Sequence, residues 1–180
     1  SSLIVGLVGA LRFNLNRKQA RVRLFEAGAC FAKVDGNYLQ SQRLSGIAYG
    51  AIQPEQWGAP SKPVDFYDVK ADVEALFAPQ PLRFVAATHP ALHPGRSAQI
   101  YCGQQLAGWI GELHPHWQQQ YDMAQAAVWF EVELGALMLV SPLQQVPQQH
   151  PAGRQFHELA VETRVVHPDL VAIVQVEIAG

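Results

Sequence analysis

Between residues 82 and 113 the chain reads "LRFVAAT", "SAQIYCG" and "QLAGWIGEL", three β-rich runs of which the last two are joined across "CGQQ" as a hairpin. Two more, "VRLFEAGACF" at residues 22–31 and "QRLSGIAYGAI" at residues 42–52, flank the loop "KVDGNYLQS" and are expected to pair antiparallel. "AVWFEVEL" alternates as a further strand. This succession of short strands constrains the fold more than any other feature. Helical patterning is interspersed with it. Leu3, Leu7, Leu11 and Leu15 recur at every fourth residue, with Ile4 and Val8 widening the stripe, so residues 2–17 form an amphipathic helix. "DFYDVKADVEALF" puts Phe66, Val69, Val73, Leu76 and Phe77 on one helical face, with Asp65 and Asp68 placed to cap or complement its amino end. "HPHWQQQYDM" gives a short helix. The order predicts an α+β fold, a mostly antiparallel sheet flanked by helices, with the helices on one side.

A length of 180 residues with 49% hydrophobic content allows one good core. "QPEQWGAPSKP" is an edge loop, and the Gln- and Pro-rich stretch 144–153 reads as a linker, dividing the chain into residues 1–143 and 154–180. In the second part "QFHELAVETRV" reads as a strand and "PDLVAIVQVEIAG" as a helix. One strand and one helix cannot bury both of their apolar faces, so this segment is expected to begin a larger domain.

Charged residues make up only 16% and the formal net charge is -2, so no global field draws the chain to nucleic acid. Cys30 and Cys102 stand far apart without CxxC spacing and read as buried thiols of a reducing compartment. No apolar run reaches the roughly 18 residues of a membrane span. The opening "SSLIVGLVGAL" lacks a preceding basic region, so neither signal peptide nor anchor is expected, and the chain reads as cytoplasmic and as though cut from something longer.

The residues that invite a chemical reading are histidines. His89, His93, His114 and His116 lie within "THPALHPGRSAQI" and "GELHPHW". A zinc site needs three or four converging ligands. His89 and His93 share a face only on a helix, which Pro90, Pro94 and Gly95 oppose. "HPGR" instead reads as a turn in which Pro94 fixes φ and Gly95 accepts a positive one. Arg96 then ties the loop to a carboxylate or to backbone carbonyls. Ser97 lacks a GxSxG elbow. Asp65, Asp68, Asp72 and Glu74 around Lys70 can be read as a magnesium site, or as ordinary first-turn acids. Arg12, Arg17, Lys18, Arg21 and Arg23 all precede the first acid, Glu26, and suit either a nucleic-acid contact or a solvated helix end. No GxxxxGK[ST] or GxGxxG phosphate loop occurs.

The ordered set "SSLIVGLVGALRFNLNR", "VRLFEAGACF", "VDFYDVKADVEALF", "LHPGRSAQI", "GWIGELHP" and "VWFEVELGAL" resembles bacterial phenylalanyl-tRNA synthetase β subunits, over nearly all of residues 1–140. The matching part of that family is similar to a class II synthetase catalytic core without being catalytic. The tail looks like the first strand and helix of the ferredoxin-like anticodon-binding domain, with His157, Glu158, Leu159 and Ala160 where the family usually shows Arg-Asp-Leu-Ala. In active class II cores a motif 2 arginine meets the ATP phosphate; Ala32, Lys33 and Val34 stand there in this chain. The motif 3 counterpart, "VWFEVELGALM", likewise has no arginine. Loss of both cations removes the electrostatic stabilisation that activation needs.

The resemblance therefore implies a silent scaffold in a ligase of two α and two β subunits. Its α subunit would use ATP and magnesium to charge tRNA with phenylalanine, while this segment holds no cofactor of its own and meets no membrane. His93, Pro94, Gly95 and Arg96 are then a structural turn and tether. Leu3, Leu7, Leu11 and Leu15 are the candidate interface helix. A metal-dependent enzyme using His89, His93, His114 and His116 is the alternative, and an RNA module using Arg12 to Arg23 is the third reading.

Overall fold

A computed structural model describes residues 1–34, 36–53, 62–140 and 171–172. A helix α1 (Ile4–Asn16) leads into the long hairpin β1 (Val22–Val34) and β2 (Asn37–Tyr49). Then come α2 (Phe66–Phe77), β3 (Leu82–Ala86), β4 (Leu92–Cys102), β5 (Gln105–Leu113), α3 (Pro115–Gln120), β6 (Val128–Glu133) and α4 (Leu134–Val140). A two-residue strand β7 (Val171–Ala172) completes the order β3-β4-β5-β6-β2-β1-β7. All pairings from β3 to β1 are antiparallel. The α+β fold with a mostly antiparallel sheet is thus as the strand spacing predicts.

β6 follows both of its neighbours in the chain and closes the sheet between β5 and β2. Its middle position explains its burial on both faces: Val128 and Val132 are 0% exposed and Trp129 1%. Strands with apolar side chains on both faces need a helical layer on each. That requirement corrects the expectation of helices on one side. α2 and α4 cover one face, where Val69, Val73, Phe77 and Ala136 meet Ile100, Ile110, Val128 and Val132. α1 covers the other, where Leu7, Val8 and Leu11 meet Leu24, Ile47 and Trp129, joined by Met123 from the segment after α3.

The loop expected at residues 33–41 is largely strand. Val34 pairs with Asn37, so the reversal is a two-residue turn with Gly36 at φ +83°. Asp-Gly is the strongest short hairpin signal, and it stands in the sequence within "VDGN". α2 begins as its acids predict. Asp65 Oδ1 accepts from the Tyr67 and Asp68 amides, and Asp68 Oδ2 accepts from the Asp65 amide at 2.8 Å, a reciprocal capping box. Both carboxylates also face Lys62, at 2.9 and 3.6 Å. These bonds occupy Asp65 and Asp68 as caps, which displaces the magnesium reading.

The linker and most of the tail lie outside the described residues. Val171 and Ala172 fall in the stretch expected to be helical. They are extended instead, parallel to Leu24 and Phe25 on the edge of β1.

Candidate functional site

The histidines share one local job. His89 Nδ1 accepts from the Ala91 amide at 3.2 Å, His93 Nδ1 from the Gly95 amide at 3.0 Å, and His114 Nδ1 from the His116 amide at 3.1 Å. In each case a proline separates donor from acceptor. Proline fixes φ and has no N–H of its own, so the imidazole caps the next amide as an Asn or Asp side chain does in an Asx turn. An accepting Nδ1 needs its lone pair, which places the proton on Nε2 and keeps it from metal. Among the described residues no three His, Cys, Asp or Glu side chains converge to hold a metal ion. The four-histidine enzyme loses its ligand set. A cleft of about 370 Å³ at this corner, lined by Thr88, His89, Pro90, Leu92, Pro94 and His114, contains no carboxylate and no Lys or Arg.

"HPGR" lies inside β4 rather than ahead of it. Leu92 pairs with Leu113 and Ser97 with Gly111, so His93–Arg96 bulge out of the ladder. Arg96 crosses back to β5, its Nη1 2.7 Å from Glu112 Oε2. The Ser97 hydroxyl is buried, 2.7 Å from Ala87 O and 3.0 Å from His93 O, and its single proton is shared between them. Bound to two backbone carbonyls, it is a strut of the bulge. His89 is wedged between Trp109 and Trp129, with ring centroids 5.0 and 5.8 Å away. Burial there pushes the His89 imidazole below its usual range, and the negative Glu131 only partly opposes that.

The strongest polar constellation was not singled out by the sequence. On the sheet face under α1, Arg43 of β2 bonds through Nη1 to Glu131 Oε1 at 2.7 Å and through Nε to Glu133 Oε1 at 3.1 Å. Glu131 Oε2 in turn accepts from the Ser2 hydroxyl and the Leu3 amide, both at 2.8 Å. A carboxylate buried to 5% exposure is thus shared between a guanidinium and the amino end of a helix, the two groups best suited to hold it. Burial alone pulls the Arg43 guanidinium down. Hydrogen bonding and attraction to Glu131, with Glu133 adding to it, more than offset that, and the net direction is upward. The Cys30 thiol beside them is pushed up, first by burial and then by Glu131. It is a packed, buried thiol.

Two close approaches seat α1. A Cβ on Gly28 would lie 3.2 Å from a Leu3 methyl, and one on Gly6 would lie 3.0 Å from Glu26 Oε2. The leucine stripe expected at an interface is turned inward: Leu7 is 2% and Leu11 0% exposed, and Leu15 packs against the same cluster. Sequence periodicity cannot tell a helix face that covers its own sheet from one that awaits a partner. The exposed apolar residues of α1 are Val5 and Phe13.

With the geometry in place, comparison with known proteins is decisive. The family described as phenylalanyl tRNA synthetase beta chain CLM domain matches residues 1–134. The chain belongs to this family. A phenylalanine–tRNA ligase beta subunit of Nitrosospira multiformis is 54% identical over 138 residues, covering 77% of this chain and 17% of the relative. Those of Aromatoleum aromaticum and Ralstonia nicotianae are 46% and 44% identical, covering 97% and 100% of this chain and 23% and 24% of theirs. The chain therefore spans no more than about a quarter of these relatives' length. Among solved structures, a pyrrolysyl tRNA synthetase from Desulfitobacterium hafniense superimposes with a TM-score of 0.55 at 14% identity, covering 77% of this chain and 47% of the other. That likeness establishes a class II synthetase fold.

Ala32, Lys33 and Val34 are the residues that the resemblance sets against the cationic position of active cores. Ala32 and Lys33 lie on the distal half of the β1–β2 hairpin, and Lys33 Nζ sits 5.9 Å from the Tyr38 ring. β6 pairs only with residues 43–48 of β2, so the hairpin beyond them has no partner from β6. This arm exposes Phe31 (52%), Tyr38 (75%) and Leu39 (57%). By strand alternation Phe31 and Tyr38 share one face of the arm and Leu39 the other. Solvent-facing aromatics on a protruding hairpin are what a contact surface looks like, not a phosphate clamp.

Proposed function

We propose that this chain serves phenylalanine–tRNA ligase as a non-catalytic scaffold of the β subunit, packing against a catalytic α subunit in an assembly of two α and two β. In this reading residues 1–143 are the class II-like module, residues 144–153 a linker, and residues 154–180 the start of the ferredoxin-like anticodon-binding domain. The α subunit supplies ATP- and magnesium-dependent activation of phenylalanine, tRNA is the substrate of the whole enzyme, and the setting is the cytoplasm. Among the described residues no helix is long and apolar enough to cross a membrane.

The observation that carries the reading is the closed sheet. α1 lies over the face that holds Arg43, Glu131 and Glu133, whose charged groups bond to one another and to the amino end of α1, while the Trp129 indole N–H buried on the same face has no hydrogen-bond partner among the described residues. Arg43, the cation of that network, is held by Glu131 and Glu133 and is not free for a triphosphate, and an adenylate-forming site depends on such a charge. The arm with Phe31, Tyr38 and Leu39 is the surface assigned to the α subunit. Calorimetric titration of the chain with ATP and magnesium should show no binding. Co-expression with the α subunit should give a complex that Phe31→Ser and Tyr38→Ser together weaken at least tenfold. Micromolar nucleotide binding, or a complex indifferent to those substitutions, overturns the proposal.

A further inference from the structure

Five cations precede the first acid in the sequence, and the scaffold reading uses none of them. The structure separates them into two groups. Arg23 turns inward, donating to Tyr49 O at 2.7 Å and Ala51 O at 2.9 Å, and Arg21 Nη2 reaches Ile52 O at 3.4 Å. Arg12, Arg17 and Lys18 remain on the exposed surface at the carboxyl end of α1. Among the described residues no carboxylate forms an ion pair with any of these three.

Both exposed arginines lie against aromatic rings. The Arg17 guanidinium carbon is 3.4 Å from the Phe13 centroid, and that of Arg12 is 5.8 Å from the Tyr121 centroid. From Tyr121 the π surfaces continue. Tyr121 and Trp117 lie nearly parallel, 16° apart with centroids at 6.1 Å, and His116 abuts Trp117 at 5.2 Å. Shared packing of Leu11, Leu15, Met123 and Tyr121 brings this row beside the α1 cations. Asp122, exposed next to Tyr121, is the acid that opposes their field.

Cations interleaved with parallel aromatic faces are the means by which proteins hold single-stranded nucleic acid, phosphates on the charges and bases on the rings. An acidic peptide would satisfy the cations and leave the rings unused. Cations at a helix carboxyl end also complement its dipole, but that role needs no aromatic row. We infer that the α1–α3 face is an RNA-contact surface, with Arg12, Arg17 and Lys18 meeting backbone phosphates and an unpaired base stacking on the Trp117–Tyr121 row. This goes beyond the scaffold role, since it gives the silent module a direct contact with RNA.

The test is anisotropy titration of the chain with a fluorescein-labelled single-stranded oligouridylate and with a tRNA transcript, in the absence of any α subunit. Three phosphate contacts give a weakening of about 20-fold between about 50 and 200 mM salt, from a slope of about -0.7 per phosphate. Replacing Arg12, Arg17 and Lys18 together with Ser should cost at least tenfold in affinity and flatten that slope. Trp117→Leu should cost about tenfold while leaving the slope intact. His116→Ala, at an exposed ring, gives a second stacking probe if Trp117→Leu disturbs the fold, which circular dichroism reports. No RNA binding at low salt overturns the inference, and so does RNA affinity unmoved by both aromatic substitutions. Loss of α-subunit association from the triple variant with RNA affinity unchanged would make the face a protein interface and equally overturn it. Because α is absent from the RNA titration, failure there leaves the scaffold proposal standing.

Discussion

Arg43→Met tests whether the buried charge network holds α1 on the sheet. The substitution keeps an apolar stem and deletes the guanidinium, leaving Glu131 at 5% exposure with only the Ser2 hydroxyl and the Leu3 amide. Stripping one partner from a fully buried ion pair costs about 3–5 kcal/mol. The Arg43 side chain is 28% exposed, so solvent screens part of this and about 2–3 kcal/mol is expected. Glu131→Gln keeps an acceptor for the α1 amino end and lets Arg43 turn to Glu133, so it should cost less, about 1–2 kcal/mol. The double variant removes both charges and should be more stable than the sum of the singles predicts, by about 1–2 kcal/mol. Urea unfolding at neutral pH measures all four corners of the cycle. Hydrogen exchange in the same proteins should show faster opening of α1 amides in Arg43→Met than of α2 amides. Additive single costs, or an Arg43→Met penalty below about 0.5 kcal/mol, would mean a solvent-screened surface pair that does not hold α1.

Two further perturbations follow from local geometry. His89 is half-buried and its imidazole is depressed from the ordinary value of 6.5, so its contribution to stability is full above that value and declines as pH falls toward the lowered folded-state value. His89→Asn keeps a side-chain acceptor for the Ala91 amide without a titrating ring, and should lose less stability than wild type as acid is added below 6.5, read from denaturation midpoints across that range; parallel slopes would refute the assignment. Asp65→Ala removes the acceptor for the Tyr67 and Asp68 amides and should cost about 1 kcal/mol, whereas Asp65→Asn, which keeps a cap, should cost clearly less; equal losses in thermal melts would locate the effect in the Lys62 contact instead.

The layered fold was legible where pattern and chemistry are local. α2 announced itself by an apolar face and by a capping box written as Asp65 and Asp68. The β4–β5 hairpin, with Cys102 paired to Gln105, followed from a two-residue connection. The β1–β2 reversal was misread as a loop because residues 37–42, NYLQSQ, show no apolar alternation, being largely exposed on a part of β2 that β6 does not cover. The second helical layer was missed for a related reason. Ile47, Ala48 and Tyr49 are all buried in succession, and a short apolar run does not say how many layers flank it.

The site was less legible because its parts meet only through tertiary structure. Arg43, Glu131 and Ser2 are separated by most of the chain and come together because β6 is inserted beside β2, in the register that sets Ser45 against Glu131 and Arg43 against Glu133. Neither acid belongs to any spacing motif. The histidines, by contrast, were conspicuous in sequence for a local reason, since a His followed by Pro builds its own turn through Nδ1. Conspicuous motifs thus proved to be self-contained turns, and the inconspicuous pairing of a strand arginine with two strand glutamates closes the sheet face. This chain keeps a class II fold and packs its own helix over that face, which suits the scaffold role proposed for it. The exposed Phe31, Tyr38 and Leu39 of the hairpin arm, and the exposed cations of α1 beside the half-buried Trp117 and Tyr121, are the surfaces that the two proposals assign to other molecules.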